Sequence, residues 1–310
     1  MSKILAVFGA TGQQGGSVVN YVLNDSELFQ QYKIRAITSN IDSERAKRLK
    51  EKVEVVHGDM LNRASLETAL TGVHTVFAMT APSLGPEVEY NIVKTIADIA
   101  VEKDVEYIIF STLPSIHELS GGKYTKVTPF DAKAKAERYI RGLPIKSAFC
   151  SLGSFMENFQ SETFLAPRKA DDGTWVVALH VSPKIQWPLI NAVRDTGKFV
   201  GAILAEPEKY NGKTFCAATK FYSLEEMIAI MSKATGKTIF YERISHEEFK
   251  KSMAIPEILA DMFVEMLAFL EETGYFGPDG EKLVAWASKN ARGRLSTFEE
   301  YLETHPLRLE

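Results

Sequence analysis

The residues best placed to do chemistry come early in the chain. Gly9, Gly12 and Gly15, with Thr11, Gln13 and Gln14 between them, follow the apolar run 4–8 and open a helical pattern. In a strand–turn–helix setting each glycine has its own task. Gly9 permits the tight turn, Gly12 lets backbone come close to a pyrophosphate, and Gly15 lets the helix pack against the sheet. The helix start adds unpaired N–H donors and a positive dipole end for phosphate oxygens. This is the chemistry of dinucleotide binding. The spacing, Gly-x-x-Gly-x-x-Gly, is one residue longer than the usual pattern.

The next group selects the cofactor. An acid at the end of the second strand would hold a free ribose 2′-hydroxyl. Here the strand ends in Thr38, Ser39 and Asn40, with no acid at the tip and Arg45 a little beyond. Neutral donors and an arginine suit a 2′-phosphate, so NADP(H) is favoured over NAD(H). Gly58, Asp59 and Met60 should meet the adenine edge, and Met79 and Thr80 the nicotinamide ribose, because ligands sit at the carboxyl ends of parallel strands. Asp59 could equally form a turn. Ser111, at the end of a fifth strand, could touch substrate or nicotinamide, or merely cap the strand.

A scaffold has to gather these strand ends. Strands are expected at 4–8, 34–38, 53–56, 73–79, 107–111 and 145–151, and helices at 14–24, 45–52, 66–70, 87–103 and 131–141. That alternation predicts an α/β fold, a Rossmann-type doubly wound parallel sheet with right-handed crossovers. Beyond about residue 152 the rhythm breaks. Residues 155–188 are dense in aromatics, prolines and glycines, and helices return at 194–204, 223–235, 245–252 and 256–273. Capping boxes are expected at Ser223 with Glu226, Ser245 with Glu248 and Ser296 with Glu299. The reading is a dinucleotide-binding domain over 1–152 and a smaller, mostly helical lobe over 153–310, some of whose segments return to the sheet.

Composition narrows the partners. The chain has 310 residues, a net charge of −4 and 45% hydrophobic residues, enough for one large core or two modest ones. The basic stretch 45–52 reads as a solvated helix face, so direct nucleic-acid binding is not expected. No apolar run approaches the ~18 residues of a membrane span. The segment before the glycine turn is too short for a signal peptide, and Cys150 and Cys216 suggest neither a metal site nor a disulfide framework. A cytoplasmic protein is expected, with nuclear entry left open.

The glycine turn, the Gly58–Asp59 step and the helical stretch 130–135, which contains Lys133, form an ordered set. Together with residues 153–159 they resemble the NmrA-like family of atypical short-chain dehydrogenase/reductases, over nearly the whole chain. That family includes NADP-sensing regulators, NADPH-dependent reductases of the isoflavone-reductase type and fungal tailoring enzymes. Typical short-chain dehydrogenases carry Tyr-x-x-x-Lys on the helix after the fifth strand. Counting back four from Lys133 gives Pro129, so the tyrosine is absent. The same spacing at Tyr90 and Lys94 falls on the wrong helix.

Lys133 matches the lysine that isoflavone-reductase-like enzymes retain. The resemblance implies contact with the nicotinamide ribose, and burial would make its ammonium a usable acid. Tyr124, in a glycine-rich loop, is a second candidate if that loop can enter the cleft. Glu157 and Lys133 are candidate acid/base groups in a non-redox reaction. Phe155 is expected at the cofactor, and Phe155, Met156, Trp175 and Trp187 could line an apolar substrate pocket. Three functions follow: an NADPH-dependent reductase of a hydrophobic small molecule, a redox sensor acting through a regulatory protein partner, and a non-redox enzyme using the cofactor cleft.

Overall fold

The apolar runs pair in parallel because helical crossovers separate them. The computed structural model describes residues 2–81, 85–160 and 163–309. Its first part runs β1 (Lys3–Phe8), α1 (Gln13–Asn24), α2 (Ser26–Gln31), β2 (Tyr32–Thr38), α3 (Glu44–Lys50), β3 (Glu54–His57), α4 (Arg63–Ala69) and β4 (Thr75–Ala78). It continues through α5 (Pro86–Glu102), β5 (Tyr107–Thr112), α6 (Ile116–Leu119), α7 (Thr128–Arg141) and β6 (Lys146–Leu152). The strand order is β3-β2-β1-β4-β5-β6, with a seventh strand, β11 (Thr214–Ala217), beyond β6. Every pairing in this sheet is parallel. The order reverses between β1 and β4, and the crevice there is where a doubly wound sheet takes its ligand.

Each face of the sheet has its own core. On one face Val18, Val19 and Val22 of α1 pack with Phe199, Val200 and Ile203 of α8 (Ala192–Ala205). On the other, Leu66 of α4, Ile92, Val93 and Ile96 of α5, and Ala136 and Ile140 of α7 cover Phe8, Val76 and Phe110. Helices begin where the chemistry allows. Pro86 and Pro129 occupy first-turn positions, where a missing N–H costs nothing. Ser43 and Asn62 cap α3 and α4 with side-chain oxygens.

The later part is mostly helical, as expected, but it is organised around short strands. Two small sheets build it: β7 (Ser154–Phe155) with β10 (Gln186–Ile190) and β12 (Lys220–Ser223), and β8 (Arg168–Lys169) with β9 (Trp175–Leu179) and β13 (Ile239–Arg243). The helices α9 (Pro207–Tyr210), α10 (Leu224–Thr235), α11 (His246–Ser252), α12 (Glu257–Thr273), α13 (Gly280–Asn290) and α14 (Phe298–Thr304) complete it. A third core joins Phe159, Leu179, Trp187, Tyr222, Met227 and Phe249. The capping boxes at Ser223 and Ser245 form. The third lies one residue on, at Thr297 with Glu300, because Ser296 is engaged by the buried carboxylate of Asp195. Among the described residues no helix is long and apolar enough to cross a membrane.

Two glycines let α8 lie directly on α1. A Cβ at Gly197 would stand 2.4 Å from the Ser17 carbonyl oxygen, and one at Gly201 2.3 Å from the Tyr21 ring. The Gly197 N–H donates to Ser17 Oγ at 2.9 Å. Gly197→Leu should therefore force the two helices apart and cost about 1–3 kcal/mol. Urea unfolding monitored by circular dichroism would measure the loss.

Candidate functional site

The glycine turn forms a cradle that larger residues could not make. Gly9 has φ +64°, and the Gly12 N–H donates to its carbonyl at 2.9 Å. A Cβ at Gly15 would sit 2.4 Å from the Gly9 carbonyl oxygen and 2.6 Å from that of Phe8. A Cβ at Gly9 would collide with Met79 Sδ at 2.4 Å, so the turn and the end of β4 touch at the switch point. Gly12 heads α1 without a side-chain cap, which leaves the first N–H groups of that helix facing the crevice mouth. This fits a pyrophosphate.

Beside it, the end of β2 turns on neutral groups. The Asn40 N–H donates to Thr38 Oγ1 at 3.2 Å, and Ser43 Oγ donates to the Asn40 carbonyl at 3.1 Å. Ser39 and Asn40 are exposed. Arg45 reaches from α3 to the glycine turn, its Nη1 donating to the Thr11 carbonyl at 3.3 Å. Asp59 spends one carboxylate oxygen on the Leu61 N–H at 2.9 Å and so forms a turn. Met60 is half-buried against the α4–α5 core.

The other end of the crevice holds the charge. Ser111 Oγ donates to Gln14 Oε1 at 2.7 Å, tying β5 to the start of α1. Lys133 is buried on α7 and spans to β4 and α5. Its ammonium donates to the Thr80 carbonyl at 3.0 Å, to Thr80 Oγ1 at 2.9 Å and to Glu89 Oε1 at 2.7 Å. Thr80 Oγ1 in turn donates to Glu89 Oε1 at 2.6 Å. An ammonium has three protons, so all three are committed. Burial pulls the Lys133 pKa below its ordinary value, and the Glu89 carboxylate opposes that pull. Glu89 is the buried charged residue beside Lys133 that the sequence reading missed. Its signal was available: with Ile92, Val93 and Ile96 it keeps the helical spacing of the buried stripe of α5, where an acid needs a partner.

A cavity of about 1200 Å³ opens from this end, starting at Gln14, Thr80, Ser111 and Lys133. Phe155 and Trp187 line it, as do Met262, Met266 and Phe269 deeper in. Met156 and Trp175 are not on its wall. Met156 is fully buried in the third core, and Trp175 lies half-buried beneath the Lys237 ammonium, 5.0 Å from its ring centre.

Two sequence candidates fall elsewhere. Tyr124 does not enter the cleft: its ring packs edge-on against Phe269 of α12 at 6.2 Å. Its loop is clamped to α12 by Lys123 with Glu272 and by the Thr125 and Lys126 N–H groups with Glu265. Glu157 accepts from the Ala192 and Val193 N–H groups at 3.1 and 2.9 Å. It neutralises the start of α8 and is no free acid or base. Tyr90 and Lys94 also lie off the cleft, Tyr90 edge-on to Tyr139 and Lys94 paired with Asp98.

A doubly wound sheet, a glycine cradle at its switch point and a cavity at the far end of the crevice define a Rossmann-type fold joined to a second lobe. Residues 1–302 match the model of the NmrA-like family, and the chain belongs to that family. It is 30% identical to an NmrA-like family domain-containing protein of Dictyostelium discoideum, over 98% of both chains. It is 28% identical to FrzB, an NmrA-like family domain-containing oxidoreductase of a Cladobotryum species, over 99% of this chain and 96% of that one. Its fold superposes with a TM-score of 0.80 on NmrA, a negative transcriptional regulator solved in complex with NADP, at 23% identity over 99% and 98% of the two chains. A further structure of NmrA, in complex with NAD, gives 0.80 at 24% identity over 97% and 94%.

Gly12 offers a clean test of the cradle. A Cβ there meets only the Gly9 carbonyl oxygen, at 3.3 Å, and φ is −96°. Gly12→Ala should lower the melting temperature only slightly, as the Gly9 carbonyl gives by a few tenths of an ångström, while the added methyl stands where a pyrophosphate must approach. Loss of about tenfold or more in dinucleotide affinity, roughly 1.4 kcal/mol, is expected by calorimetry.

Proposed function

We propose that this chain is an NADP(H)-dependent oxidoreductase acting on a hydrophobic small molecule. The observation that carries the reading is the apolar cavity opening directly from the Thr80–Lys133 end of the crevice. The glycine turn and the start of α1 would hold the pyrophosphate. Ser39, Asn40 and Arg45 would hold a 2′-phosphate, with Arg45 anchored on Thr11 and aimed across the turn. Ser111 and Gln14 would border the nicotinamide. The bound cofactor supplies a hydride. The apolar walls exclude water and orient the acceptor, and the Lys133 ammonium sits where negative charge develops on it. No tyrosine acid takes part, since Pro129 stands four residues before Lys133. The oxidoreductase FrzB and the NADP complex of NmrA support the two halves of this reading.

One observation favours a second reading. With all three Lys133 protons committed, no acid is free at the neck of the cavity among the described residues. A chain that binds the cofactor without turnover would then report its redox state to a protein partner, in keeping with the regulator role of NmrA. The non-redox reading loses one of its two candidate groups, Glu157, to the start of α8.

Calorimetric titration with NADP, NADPH, NAD and NADH, followed by NADPH oxidation with apolar quinones and enones, separates the two. The oxidoreductase should prefer the phosphorylated cofactors. Arg45→Ala should cost them about tenfold in affinity and leave NAD(H) within about twofold. Met266→Trp, which fills the cavity, should cut kcat/KM for the acceptor by about tenfold or more without changing cofactor affinity. Different affinities for oxidised and reduced cofactor with no oxidation of NADPH would instead support the regulator.

A further inference from the structure

A lysine and a glutamate buried together need a reason. The side chains of Lys133 and Glu89 are 8% and 1% exposed, and their closest atoms are 2.7 Å apart. Such a pair is weak evidence for stability, because desolvating two charges costs as much as their attraction returns. This pair is also incomplete. Glu89 Oε1 takes both available donors, and among the described residues Glu89 Oε2 is buried without a partner. A core built for stability alone would hold two apolar side chains here.

The geometry gives the pair another use. Lys133 forms part of the cavity wall, while Glu89 lies behind it. Phe110 of β5 packs beside the ammonium at 5.9 Å, and Thr80 closes it from β4. Glu89 is the one charged group within ion-pair distance of the Lys133 ammonium among the described residues. Without that carboxylate, burial would favour the neutral amine. We propose that Glu89 is a positioning residue, which keeps Lys133 charged inside the protein and holds it at the neck of the cavity. The ammonium can then turn a proton toward a bound ribose or acceptor only by releasing Thr80, whose contacts are neutral, while the Glu89 contact stays. The proposal rests on reading the crevice as a dinucleotide site.

The first readout needs no activity. Trace acetylation with acetic anhydride across neutral to strongly alkaline pH, followed by peptide mass spectrometry, reports the protonation of Lys133 in the native chain. In the wild type the onset of Lys133 labelling should lie below that of an exposed lysine, because burial outweighs the Glu89 carboxylate. In Glu89→Gln the onset should fall by about one pH unit or more, giving about tenfold more label at neutral pH. Affinity for NADP should fall with it, by about tenfold. A labelling profile within about twofold of wild type overturns the proposal. If Glu89→Gln does not fold, Lys133→Met is compared with the double variant Glu89→Leu/Lys133→Met. Equal NADP affinity within about twofold shows that Glu89 acts only through Lys133, and a further loss in the double variant overturns the proposal. If the wild type binds no dinucleotide, the cofactor reading fails, while the labelling still decides the role of Glu89.

Discussion

The close approach of α1 to its surroundings is the constraint from which the rest follows. Its first turn lies against the carbonyls that end β1, at a distance no side chain at Gly15 would allow. Its opposite side lies against α8 through Gly197 and Gly201. The helix is thus held between the sheet and a segment from far along the chain. Its uncapped start is fixed over the switch point, and Gln14 reaches Ser111 across it. Phosphate binding, the position of β5 and the attachment of the later lobe all use this one placement.

What the sequence revealed was what local physics encodes. The run 4–8, the glycines after it and the valines of α1 describe strand, turn and helix without outside help, and each following strand is an apolar run bounded by a helical stripe. The later part resisted because its strands are short and pair at long range. β11 has four residues and finds its place only beside β6. β7 has two and depends on β10. Neither length nor periodicity marks such pieces.

The site was legible in the same proportion. The glycine cradle and the missing acid after β2 could be read directly, since they are matters of residue type at a strand end. Tyr124 and Glu157 misled because nearness in sequence to Lys133, or to the start of the lobe, says little about direction. Tyr124 turns to α12, and Glu157 finds N–H groups 35 and 36 residues away. Ser296 lost its capping role to Asp195 for a similar reason, a buried carboxylate 101 residues away. Glu89 could have been found by asking what an acid does within an apolar stripe.

The chain also passes between sheet and lobe again and again. It leaves after β6, returns as α8 and β11, leaves as β12, and returns as α13, whose Trp286 lies 4.9 Å from Phe215 of β11. Arg292 then pairs with Asp25 and Glu27 beside α2 before the chain leaves once more. A two-lobed protein joined by one or two strands can close like a jaw about a hinge. Here every strand of connection would have to bend at once, so jaw closure is opposed by topology. The α11–α12 corner at Met253 and Ile255 and the tail at Leu307 lie on the cavity wall, away from the strands and glycines that form the crevice. The shape of that wall and the shape of the crevice thus rest on different elements, and a change in one need not disturb the other.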